Sequence, residues 1–120
     1  MKKFISVMLV AAMAVTALTG CGSNSGSSSK KDADKYYIGG IGPTTGATAI
    51  YGTAVKNGAQ IAVDEINAAG GINGKQIEYR FEDDQNDAEK AVNAYNTLKD
   101  WGMQMLVGTT TTAPCIAVAG

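Results

Sequence analysis

The residues of this chain best equipped to meet a ligand are four consecutive threonines, Thr109–Thr112, in the stretch G-T-T-T-T-A-P-C from Gly108 to Cys115. They follow an apolar run and precede a proline, which is the expected gap between a strand and a helix. Threonine is β-branched and a mediocre helix former, yet its hydroxyl suits such a gap. A helix N-terminus presents unpaired N–H groups and the positive end of the helix dipole, and hydroxyls just before it add donors of the same polarity. The chemistry this predicts is capture of an anion, either a carboxylate or a phosphate. A plainer role stays open, in which Thr112 or Ala113 sits at the N-cap and the other hydroxyls satisfy loop backbone. Tyr51 is a second candidate, because a phenol in the first turn of a predicted helix can pack on a ligand and donate a hydrogen bond.

Other chemistries find less support. The chain has no histidine, which removes the commonest metal ligand and the commonest general base. No nucleophile–base dyad stands out, so an exported enzyme is the weakest class. Gly40, Gly42 and Gly46 form G-x-G-x-x-x-G, but Pro43 lacks an N–H, and Glu82 lies much further on than the roughly 20 residues expected for a ribose-binding acid. Glu82, Asp83, Asp84 and Asp87 lack the calcium-loop pattern and are expected to form a solvated turn with one helix cap. No cofactor or metal is expected. The balance of 10 basic and 11 acidic residues lacks the basic stripe that nucleic acid requires.

The elements that must position these residues follow from periodicity. Tyr36–Gly42 is an apolar run bounded by Gly and Pro and reads as a buried strand, followed by the loop Pro43–Thr48. From Ala49 to Ala69 the pattern turns helical, with Val55, Ala59, Ala62, Ile66 and Ala69 on one stripe and Gly70-Gly71 as the stop. Asn73-Gly74 signals a turn into a second strand, Gln76–Glu82, where Ile77, Tyr79 and Phe81 alternate with polar residues. Asp87 can cap a second helix with Ala88, Ala91, Val92, Tyr95, Leu98 and Trp101 on one face, closed by Gly102. Met103–Val107 reads as a third strand, and Pro114 falls in the first turn of a third helix.

The order β-α-β-α-β-α predicts an α/β, doubly wound parallel sheet with right-handed crossovers and strand order 2-1-3. Ligands bind at the switch point of such a sheet, so the loops Pro43–Thr48 and Thr109–Ala113 should face each other across a crevice. The apolar stretch Ala117–Gly120 does not look like a finished domain, and the third strand would keep an open edge. The expectation is the N-terminal part of a longer protein.

Residues 1–20 read as an export signal, with Lys2 and Lys3 before an uncharged run from Phe4 to Leu18 that is too short to span a membrane. Leu18-Thr19-Gly20-Cys21 looks like a bacterial lipobox, in which Cys21 is lipidated and becomes the first mature residue. If Cys21 carries lipid, Cys115 is left without an intrachain partner. Residues 21–34 are a Gly/Ser-rich tether, leaving 35–120 as the folded part.

The segments I-G-P-T-T-G-A-T-A-I-Y-G (Ile41–Gly52), A-V-D-E-I-N-A-A-G-G-I-N-G-K-Q-I (Ala62–Ile77), F-E-D-D-Q-N-D-A-E-K-A (Phe81–Ala91) and L-V-G-T-T-T-T-A-P-C-I-A (Leu106–Ala117) resemble type I periplasmic binding proteins of the leucine/isoleucine/valine-binding kind. The resemblance implies a partial N-terminal lobe of a bilobed receptor, which closes on an amino acid and delivers it to the permease and ATPase subunits of an ABC importer. It also implies that lipid on Cys21 holds the protein at the outer face of the cytoplasmic membrane. The family's α-carboxylate contact falls on Thr112, preceded by Thr110 and Thr111, and its aromatic contact falls on Tyr51. The ammonium partner comes from the second lobe. Within the same fold, a short amide or urea, or a sensor role without a transporter, are the alternatives.

Overall fold

A computed structural model describes residues 34–120. The elements run β1 (Lys35–Gly42), α1 (Ala49–Ala68), β2 (Gln76–Asp83), α2 (Ala88–Trp101), β3 (Met105–Thr109) and α3 (Thr112–Ala119). The three strands form a parallel sheet in the order β2-β1-β3, as the alternation of strand and helix predicts. The proposed signal, the tether and Cys21 lie outside the described residues.

Side chains alternate across the sheet, so β1 serves two different layers. On one face Ile41 packs with Ala91, Ala94 and Leu98 of α2, joined by Leu106 of β3 and Val118 of α3. On the other, Ile38 meets Ile77 and Tyr79 of β2 and Ala59, Ala62, Val63 and Ile66 of α1 around a groove of about 250 Å³. The helices that follow β1 and β3 therefore leave on opposite faces, and the crevice opens between those two neighbouring strands.

Local chemistry fixes the connections. Asn67 in the last turn of α1 acts as a surrogate strand residue: its Nδ2 donates to Ile77 O at 2.8 Å and its Oδ1 accepts from Ile77 N at 2.7 Å. Asn73 and Gly74 take positive φ inside a two-residue turn closed by Ile72 N to Lys75 O at 2.8 Å and Lys75 N to Ile72 O at 3.0 Å. Asp87 caps α2, accepting from Lys90 N at 2.9 Å.

Three expectations need correction. β3 is displaced two residues along the chain from Met103–Val107. The C-cap of α2 consumes the start of that run, with Met103 N donating to Leu98 O at 2.9 Å, and the strand continues past Gly108 to Thr109. On α1 the buried residues are Gly52 and Val63, whereas Val55 and Ile66 are more than a third exposed, because they border open depressions at the two ends of the expected stripe. On α2 the buried set is Ala91, Ala94 and Leu98, which turns Val92 to the flank.

Leu98 is wholly enclosed, touching both the sheet and the α2–α3 layer. Leu98→Ala should cost about 3 kcal/mol of stability. Urea unfolding of the full-length gene product checks this as a lower midpoint with an unchanged slope.

Candidate functional site

The approach to the crevice begins with a bulge. Gly40 pairs with Val107 and Ile41 with Thr109, so Gly108, at φ 44, is skipped by the ladder. A non-glycine residue adopts that backbone conformation only under strain. Beyond the bulge Thr110 stays tied to the central strand, its N donating to Ile41 O at 3.1 Å and its Oγ1 to the same carbonyl at 3.3 Å. The chain then turns into α3 with Thr111 as N-cap, at φ −124 and ψ 157, and without a side-chain cap bond. Expectation put the cap at Thr112 or Ala113, but the cap is one residue earlier and Thr112 is the first helical residue.

Facing this loop is the first turn of α1. Tyr51 is 63% exposed, and together with Ile50, Ala54 and Val55 it forms one wall of a cavity of about 620 Å³ whose other wall is Thr110, Thr111 and Thr112. The structure thus brings together Tyr51 and all three threonines named from the sequence. None of the residues lining the cavity is charged. Thr111 lines the cavity and its hydroxyl is buried without a hydrogen-bond partner, as is that of Thr109, which lies outside the lining, while Thr112 is exposed. A buried hydroxyl lacking a partner carries a desolvation cost that an incoming acceptor relieves.

The acidic cluster differs from its expectation. Asp83, the last residue of β2, accepts from Thr44 N at 2.8 Å, Thr45 Oγ1 at 2.5 Å and Gln85 N at 3.0 Å. Burial alone would raise its pKa, but the hydroxyl and the amides favour the anion, and the net shift is downward. Asp84 is wholly buried, with Oδ1 accepting from Asn86 N at 2.8 Å and Oδ2 unpartnered. Desolvation, reinforced by the negative charges of Asp83 and Asp87, raises its pKa. Only Asp87 keeps the solvated capping role expected of the group. No alternation or spacing signals the role of Asp83, because Thr44 and Thr45 come from a loop far away in sequence, whereas Asp84 pairs with Asn86 only two residues on. Among the described residues no cluster of His, Cys, Asp and Glu could hold a metal ion, and Cys115 is a free, exposed thiol.

A raised acid pKa favours the neutral form in the folded protein, so its stabilising effect holds below the unfolded pKa and is lost as pH rises through the folded one. Asp84→Asn removes that loss. The stability of the variant relative to wild type should therefore rise between about pH 3 and about pH 7. Denaturant titrations at the two pH values measure it, and a pH-independent difference would show that Asp84 carries no such penalty.

Comparison with known proteins adds three findings. The family described as periplasmic binding protein matches residues 35–120. Among curated relatives, the Leu/Ile/Val-binding protein BraC3 of Rhizobium johnstonii is 44% identical over 82 residues, which is 68% of this chain and 22% of the relative. The leucine-, isoleucine-, valine-, threonine-, and alanine-binding protein of Pseudomonas aeruginosa is 41% identical over 76 residues, or 63% of this chain and 20% of that protein. The chain therefore spans about a fifth of the length of the curated relatives it matches. Among solved structures, the branched-chain amino acid transporter substrate binding protein LivJ from Streptococcus pneumoniae, in complex with isoleucine, superposes with a TM-score of 0.66 at 40% identity, covering 70% of this chain and 24% of that one.

Proposed function

Because this chain belongs to the periplasmic binding protein family, we propose that it supplies one wall of an extracytoplasmic receptor that binds an amino acid for an ABC importer. The observation that carries this reading is the unpartnered, buried hydroxyl of Thr111 at the start of α3, on a residue that lines one cavity with Thr110, Thr112 and Tyr51. The hydroxyls and the helix N-terminus offer donors to one α-carboxylate. Ile50, Ala54 and Val55 offer an apolar surface to an aliphatic side chain, and Tyr51 packs against it. A ligand ammonium finds no charged partner among these residues and takes it from elsewhere in the receptor. The leucine-, isoleucine- and valine-binding relatives support an amino acid over a short amide or urea.

In this reading Thr111 is the principal hydroxyl donor and Thr112, the residue indicated by family resemblance, is the outer one. The protein acts by binding and release rather than by catalysis, with the permease and ATPase subunits of an importer as its partners. Lipid on Cys21 keeps it at the outer face of the cytoplasmic membrane.

Isothermal titration of the full-length gene product with L-leucine tests the site. Thr111→Val, which keeps the shape and removes the donor, should cost about 2 kcal/mol of affinity, and Thr112→Val should cost less. Leucinamide, which lacks the carboxylate, should bind poorly, and equal binding of leucine and leucinamide would overturn the carboxylate reading. The anchor is read separately by intact mass of the protein from its native membrane. The expected species begins at Cys21 and carries the added mass of acyl chains; an unmodified Cys21 rules out the lipid.

A further inference from the structure

We propose that Asp83, which lines no part of the cavity, is its positioning residue: it fastens the β1–α1 loop and so holds both cavity walls in register. This inference rests on the receptor reading above. Asp83 gathers Thr44 N and Thr45 Oγ1 from the loop and Gln85 N from its own side, so its carboxylate closes three hydrogen bonds at the end of β2. The loop residues it holds, Thr44 and Thr45, directly follow Gly42, the last residue of β1, and Pro43, and these two touch the two walls. Gly42 lies directly against Thr110, so closely that a Cβ there would overlap the threonine hydroxyl. Pro43, itself buried, lies against Gly52 of α1, where an added Cβ would overlap the proline carbonyl oxygen.

These contacts leave no slack. Packed backbone at van der Waals contact transmits displacement rather than absorbing it. Gly52 is the immediate neighbour of Tyr51, and Thr110 precedes Thr111. The remainder of the loop is closed by tight turns, Ala49 N to Gly46 O at 3.3 Å and Tyr51 N to Thr48 O at 3.1 Å, which carry the position of Thr45 into the first turn of α1. Release of the segment from Asp83 therefore shifts the phenol relative to the threonine loop, which Thr110 keeps on the Ile41 carbonyl.

The test compares Asp83→Ala and Asp83→Asn in the full-length gene product by L-leucine titration and by hydrogen exchange of the amides from Thr44 to Gly52. Alanine removes all three acceptor contacts and should weaken leucine binding about tenfold and speed exchange through Tyr51. Asparagine keeps a carbonyl oxygen for Thr44 and Gln85, and its NH₂ can donate to a rotated Thr45 hydroxyl, so affinity should recover to within about threefold of wild type. Rescue by the uncharged isostere identifies hydrogen-bonded positioning as the role. An alanine variant that unfolds cooperatively, binds leucine as tightly as wild type and exchanges normally at Tyr51 overturns the proposal. If that variant does not fold, Thr45→Val removes one arm of the clasp alone, and unchanged affinity together with unchanged exchange at Tyr51 is the overturning result. If wild type itself fails to bind leucine, the receptor reading falls, and the exchange data alone decide whether Asp83 governs the loop.

Discussion

The structure is organised around a central strand that has almost no side chains at its carboxyl end. Gly39, Gly40 and Gly42 of β1 each lie where a Cβ would overlap a neighbour: Met103 and Leu98 at Gly39, Tyr79 and Phe81 at Gly40, and Thr110 and Phe81 at Gly42. Both faces of the strand are thus filled from outside by large side chains that belong to other elements. Ile41, fully buried, is the only bulky residue β1 contributes in this stretch. The two layers, and the crevice where they part, depend on that thin spine, because a thicker strand would push α2 off one face and the threonine loop off the other.

The crevice combines two kinds of surface. Its apolar wall is a helix turn with Ile50, Tyr51, Ala54 and Val55, and its polar wall is a run of hydroxyls at the start of α3. One wall is anchored by a carboxylate at the end of β2, the other by two hydrogen bonds from Thr110 to the Ile41 carbonyl. Both anchors belong to strand ends, so the precision of the site derives from the sheet rather than from the loops.

Much of this was legible in the sequence. Period-two alternation at Ile77, Tyr79 and Phe81, the helical stripes and the Gly and Asn-Gly stops dictate the element order, and the element order dictates strand order 2-1-3. The threonine run and Tyr51 could be named because residue type and position relative to predicted element ends carry the signal. What stayed illegible depends on contacts distant in sequence. Asp83 reads as one of several solvent-facing acids until β2 is laid beside the loop that begins at Pro43. The N-cap of α3 at Thr111 and the residue that Gly108 inserts into the ladder stayed hidden as well, since no periodicity over a five-residue strand reveals either.

That bulge works as a joint between the sheet and the cavity wall. Below Gly108 the side chains of Met105, Leu106 and Val107 answer to the pleat of the sheet; above it Thr110 stays on the Ile41 carbonyl, and Thr111 and Thr112 answer to the N-terminal geometry of α3. Because Gly108 is skipped by the ladder, a change at Thr111 or Thr112 alters the cavity wall beyond the last paired residues of the strand. A scaffold with such a joint lets the cavity wall vary while the fold stays fixed.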